Sequence, residues 1–209
     1  MNLSQDQADT LGELITIGVG RAAGMLNEIT EAYVSLEVPV VRAVSVVEFK
    51  DEMDREGVDR LSAVQLAFDG PFFGTADLVF PPESATKLVV LLTGEDPGTL
   101  EFESVKTGTL NELGNIVING VMGSIANLIK QQIGYSLPNY IEDTIDHLLT
   151  LGGADTARPI LLARTHFMIE QLKIKGEIIL LFDMGSFDAL IAAIDSINAG
   201  VNKDNGNRD

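Results

Sequence analysis

The chain repeats itself. Leu11, Glu13, Leu14, Ile17 and Pro39 recur 99 residues later as Leu110, Glu112, Leu113, Ile116 and Pro138. Gly74, Phe80, Ser84 and Leu88 recur 102 residues later as Gly176, Phe182, Ser186 and Leu190. An internal duplication constrains the fold more than composition does, because both halves must run through the same order of elements. That order is helix, extended segment, hairpin, helix.

In the first half, Ser4 and Gln7 have capping-box spacing, and Leu11, Leu14, Ile15, Gly18, Ala22, Met25, Leu26 and Ile29 follow helical periodicity. A helix over 5–31 is expected. Val34 to Phe49 is rich in β-branched residues and reads as extended, interrupted by Pro39. The charged stretch Lys50 to Arg60 then reads as a solvated loop or a turn of helix. Ser62 to Phe68 and Gly74 to Phe80 flank Asp69-Gly70-Pro71 and should pair as an antiparallel hairpin. Pro81-Pro82-Glu83 opens a helix that Gly94 and Pro97 stop.

The second half starts from the stretch Ser104 to Pro138. Leu110, Leu113, Val117, Val121, Ile125 and Leu128 recur at three and four, one apolar side of a long helix. Ile141 to Leu151 reads as partly helical, broken by Gly152-Gly153. A second hairpin is expected from Ile160 to Leu172 and Glu177 to Phe182, with its turn near Lys173 to Gly176, and a closing amphipathic helix over Ser186 to Asn198. The polar residues 201–209 are expected to be a disordered tail.

With 209 residues and 45% apolar content, the chain can bury one large core or two small ones. Each half reads as only about two strands and two helices, so the halves are expected to complete one shared sheet. The predicted fold is α+β, a mostly antiparallel sheet with a pseudo-twofold axis. It forms a single domain over 1–200, with halves of about 1–98 and 99–200.

The long helix carries a second, polar side. Glu112, Asn115 and Asn119 stand at i, i+3 and i+7, a stripe about 10 Å long. Its counterpart on the first helix is Asp9, Glu13 and Thr16, followed by Gly20. Gly108, Gly114, Gly120 and Gly123 each cost about 1 kcal/mol against alanine in a helix interior, which points to close packing or to a surface that something approaches closely. Glu142, Asp143 and Asp146 read as a solvated face.

The net charge of −17 argues against a nucleic-acid partner, since no basic patch exists to displace counterions. There is no cysteine, no charged-then-apolar leader and no apolar run long enough to cross a bilayer, so a cytoplasmic protein without a membrane partner is expected. His147 and His166 stand alone in the sequence and read as ordinary histidines, with no metal site.

Glu-x-x-Asn with a proline after 22 intervening residues, as in Glu112, Asn115 and Pro138, resembles the signature of the CheC, CheX and FliY family of chemotaxis phosphatases. That signature is an acidic or Ser residue, three residues, Glu, two residues, Asn, 22 residues, Pro. The resemblance covers nearly the whole chain, in length and in duplicated layout, and implies a CheC-like fold. It implies as substrate the phospho-aspartate of a CheY-type response regulator. Glu112 would pair with the regulator's active-site lysine and Asn115 would orient the attacking water. No cofactor of its own is implied, and Mg²⁺ is expected on the regulator.

The two sites depart from the pattern differently. Gly108 stands where the family prefers Asp or Ser, a small departure. In the first site Asp9, Glu13 and Pro39 match, but Thr16 replaces the Asn. A hydroxyl is shorter than an amide and has one fewer polar atom, so this site is expected to be weak or inactive and to serve at most as a docking surface. Asn119 is open between a binding contact and a catalytic role. Pro39 and Pro138 are expected to be structural, each fixing the turn after its helix. A non-catalytic adaptor of the same fold, binding a regulator or a CheD-like deamidase, is the alternative. FliY-like switch proteins carry a further C-terminal domain, which argues against a switch component.

Overall fold

A computed structural model describes residues 4–56, 60–151, 159–183 and 188–196. Ser4 opens the first helix, α1 (Gln5–Thr30). Its hydroxyl accepts from the Gln7 amide at 3.2 Å, and the Gln7 side chain accepts from the Ser4 amide at 3.0 Å, closing the expected capping box. There follow β1 (Val34–Leu36), β2 (Val40–Ser45), α2 (Val46–Arg55), β3 (Leu61–Asp69), β4 (Gly74–Phe80) and α3 (Pro82–Thr93). The second half supplies α4 (Phe102–Leu128), β5 (Gly134–Tyr135), β6 (Asn139–Asp143), α5 (Ile145–Leu151), β7 (Pro159–Ile169), β8 (Ile174–Asp183) and α6 over 188–196.

All eight strands join one antiparallel sheet in the order β1-β7-β8-β4-β3-β5, with β2 also on β7 and β6 also on β3. Exchanging β1–β4 for β5–β8 reads this order back onto itself. The fold is therefore the mixed α and antiparallel-β arrangement that the sequence predicts. Its centre is β4 against β8, running from Gly74 opposite Phe182 to Val79 opposite Glu177.

The five consecutive apolar residues Ile178–Phe182 make sense in that position, because helices cover both faces there. Ile178, Leu180 and Phe182 enter the larger core with α1, α3, α4 and α6. Ile179 and Leu181 enter a smaller core with α2 and α5. Among the described residues no helix is long and apolar enough to cross a membrane.

Four expectations are corrected. Val46 to Arg55 form helix α2, with Phe49 and Met53 buried in the smaller core and Ser45 and Glu48 closing a second capping box. Arg164 of β7 fixes that helix, gripping Glu56 at 2.9 and 2.6 Å and Glu177 of β8 at 2.6 and 3.0 Å. Ile141 to Asp143 belong to strand β6, paired with β3, and helix starts only at Ile145. The second hairpin turns earlier than expected, through a 3-10 turn at Glu170–Leu172 and a left-handed Lys173. Among the described residues each half supplies four strands, because short edge strands flank each hairpin. The expected tail over 201–209 and the Gly152-Gly153 break lie outside the described residues.

Candidate functional site

Helices α1 and α4 lie side by side on the larger core, so closely that a Cβ on Gly18 would sit 2.9 Å from the Val121 carbonyl oxygen. A Cβ on Gly120 would fall 2.5 Å from Met25 Sδ and one on Gly114 2.3 Å from Val64 Cγ1. These glycines pack against neighbours. Gly108 and Gly123 instead have open space where a side chain would be. The expectation of close packing is met at Gly114 and Gly120.

The packing turns the two polar stripes outward. Glu112 is exposed and takes no ion-pair partner from the described residues. Asn115, one turn on, is half-buried, and its Oδ1 accepts from Asn119 Nδ2 at 2.8 Å. Asn119 Oδ1 is buried and has no hydrogen-bond partner among the described residues. A free carboxylate and a held amide therefore stand on one exposed face of a long helix.

The first stripe is arranged differently. Asp9 accepts from Gln5 Nε2 at 2.9 Å, and Glu13 is exposed. The Thr16 hydroxyl donates to the Gly12 carbonyl of its own helix at 2.7 Å, which draws its oxygen back toward the backbone. Asp9, Glu13, Thr16 and Ile17 line a cleft of about 770 Å³ together with Val38 and Pro39. The structure thus brings Pro39 to the stripe that precedes it by 23 residues. Val38 and Leu137, the residues before the two prolines, are 83% and 89% exposed.

The central helix is braced to the strand after Pro138. Lys106 is buried, and its Nζ lies 2.5 Å from Glu142 Oε2 on β6, which also accepts from the Tyr140 hydroxyl at 2.9 Å. Burial pushes the Glu142 carboxyl up, but hydrogen bonds from Lys106 and Tyr140 outweigh it and hold it below the usual carboxylate range. Burial likewise pulls Lys106 down, and the bond to Glu142 more than restores it. The solvated-face reading holds for Asp146, which is exposed 2.7 Å from Lys50, whereas Asp143, 2.6 Å from His147 Nδ1, and Glu142 are partly buried. His166 stands 3.3 Å from Glu37 and 3.3 Å from Glu177. Among the described residues no cluster of three His, Asp or Glu side chains could hold a metal ion.

No family model matches the chain. The CheY-P phosphatase CheC of Bacillus subtilis is 24% identical over 200 residues, 92% of this chain and 95% of that protein. The crystal structure of Thermotoga maritima FliY superposes with a TM-score of 0.73 at 18% identity, covering 94% of this chain and all of that one. The resemblance to the CheC, CheX and FliY family holds in sequence and in fold. A chain of the CheX-CheY-BeF3-Mg+2 complex from Borrelia burgdorferi shares the fold with a TM-score of 0.55 at 13% identity, over 82% of this chain and 96% of that one. So does the FliM middle domain from H. pylori, with a TM-score of 0.65 at 10% identity, over 91% and 99%.

Within this CheC-like fold, the sequence reading missed two features of the site. One is the bond between Asn119 and Asn115, for which the i, i+4 spacing was the available signal. The other is the Lys106–Glu142 brace, between residues 36 positions apart, for which the sequence carried none.

Proposed function

We propose that this chain is a phosphatase acting on the phospho-aspartate of a CheY-type response regulator, with α4 as its catalytic helix. The observation that carries the reading is Glu112 unpaired beside Asn115 held, one turn apart on the exposed face of that helix. The likeness to the CheY-P phosphatase CheC supports it, as does the shared fold with a chain of a CheX-CheY complex.

An acyl phosphate hydrolyses through a loose transition state, so a catalyst needs to place a water in line and balance charge rather than form a covalent bond. Asn115 suits the first task. Its carbonyl oxygen has two lone pairs, so it can accept from Asn119 and from a water at once, and its amide donor remains for the phosphoryl oxygens. The water oxygen bonds to phosphorus as the bond to the aspartate oxygen breaks. Inorganic phosphate leaves with the water's protons, and the regulator's carboxylate is restored.

Glu112 suits the second task. Its carboxylate reaches out for the regulator's lysine ammonium, a charge-assisted contact that sets the register of the complex. Mg²⁺ belongs on the regulator in this reading, where it offsets phosphoryl charge. The first site, with the Thr16 hydroxyl turned back onto Gly12, is a docking cleft with little or no turnover.

The reading separates the two residues kinetically. With a CheY-type regulator phosphorylated by acetyl phosphate, Glu112→Ala should raise KM and Asn115→Ala should lower kcat. A wild-type protein that binds the regulator without accelerating its decay would leave the second reading, an adaptor for a regulator or a CheD-like deamidase. The recurrence of the fold in the FliM middle domain keeps that reading in view, since the fold alone does not imply catalysis.

A further inference from the structure

We infer that Asn119 is a positioning residue for Asn115, an inference that rests on the phosphatase reading. An asparagine amide rotates broadly about χ2, so an Asn115 with no partner would meet a water at many angles. Asn119 Nδ2 removes that freedom with a bond of 2.8 Å from the next turn of the same helix. No other described residue bonds to the Asn115 side chain.

Stability explains Asn119 poorly. Its Oδ1 is buried without a partner, an arrangement that costs the folded state. Its position also borders the groove between the two helices, beside Arg21, Gly120 and Gly123, and not the packed core. What the side chain does accomplish is to fix the amide one turn below it, as outer partners do for ligands in metal sites.

The first helix supplies the contrast. Gly20 stands where α4 has Asn119, and Thr16 stands where it has Asn115, bonded to its own backbone. The first stripe thus lacks both the amide and its holder. A Cβ added to Gly20 meets nothing within 4 Å, so the missing holder can be installed there.

The test is turnover of a CheY-type regulator phosphorylated by acetyl phosphate, with wild type, Asn119→Ala and Asn115→Ala, each checked for an unchanged melting temperature. Asn119→Ala should lower kcat by about 2- to 12-fold, the factor carried by one hydrogen bond of ordinary net worth, with KM unchanged. In the Asn115→Ala background, Thr16→Asn with Gly20→Asn should turn over faster than Thr16→Asn alone. In ¹⁵N-labelled protein the side-chain amide signals of Asn115 should shift toward free-amide values in Asn119→Ala.

An unchanged kcat in Asn119→Ala, or a loss that appears only in KM or in melting temperature, would overturn the inference. If Asn115→Ala is as fast as wild type, the phosphatase reading itself falls, and this inference falls with it.

Discussion

Replacing Asp77 by asparagine should stabilise the protein above pH 7 and change its pH dependence. Asp77 lies on β4, facing the smaller core, where it is 5% exposed. Its Oδ1 accepts from Gln65 Nε2 at 2.8 Å and its Oδ2 from the Thr75 hydroxyl at 3.0 Å. Burial raises the carboxyl from 3.8 to about 6 against these two bonds, which favour the charged form.

The folded state therefore holds a proton that the unfolded chain has lost between about pH 4 and pH 6, and stability falls as pH rises through that window. A separation of about 2 pH units amounts to about 3 kcal/mol of lost stability once the carboxylate is fully charged. Asparagine has the same shape and no charge. Its oxygen still accepts from Gln65, and its amide donates to the Thr75 hydroxyl, which can accept as well as donate. Urea denaturation followed by circular dichroism should show Asp77→Asn more stable than wild type by up to about 3 kcal/mol at pH 8, shrinking by about half at pH 5. Both pH values lie above the pI of 4.3, where the protein keeps its negative charge. A difference that does not change with pH, or a variant less stable than wild type at pH 8, would refute the reasoning.

Two further stability measurements probe the frame of the site. Gly114→Ala should cost about 1–3 kcal/mol through its clash with Val64, whereas Gly108→Ala, with open space around it, should gain about 1 kcal/mol of helix propensity; equal effects in urea denaturation would contradict the packing described here. Lys106→Met removes the cation from a carboxylate that keeps 30% of its side-chain surface exposed, and should cost about 1–3 kcal/mol at pH 7. A loss below about 0.5 kcal/mol, the range of ordinary surface substitutions, would mean that the brace between α4 and β6 contributes nothing.

Where the signal was local, the sequence was legible. Helix α1 announces itself through the Ser4 and Gln7 box, α3 through Pro82 at its start and Gly94 after its end, and each hairpin through a β-rich pair around a turn. The repeat of spacing predicted that the halves share one sheet, which the symmetric strand order bears out. Helix α2 was hidden because the charges of Lys50 to Arg60 outweighed three buried residues, Val46, Phe49 and Met53, although the Ser45 and Glu48 box was there to read. Strand β6 was hidden because Ile141, Ile145 and Leu148 are spaced as a helix would space them, while Ile141 belongs to a strand. At the candidate site, the two outward polar stripes and the approach of Pro39 to the first of them were readable from spacing. The Thr16 bond to Gly12 and the Lys106 bond to Glu142 depend on side-chain direction and on tertiary approach, which spacing does not encode.

The central claim is that Asn115 orients the attacking water, and single-turnover decay of a phosphorylated CheY-type regulator tests it most directly. With saturating protein, the account predicts decay well above the spontaneous rate, reduced by roughly 100-fold or more in Asn115→Ala, the scale expected when a reacting group loses its placement. Decay in Asn115→Ala within twofold of wild type would contradict it.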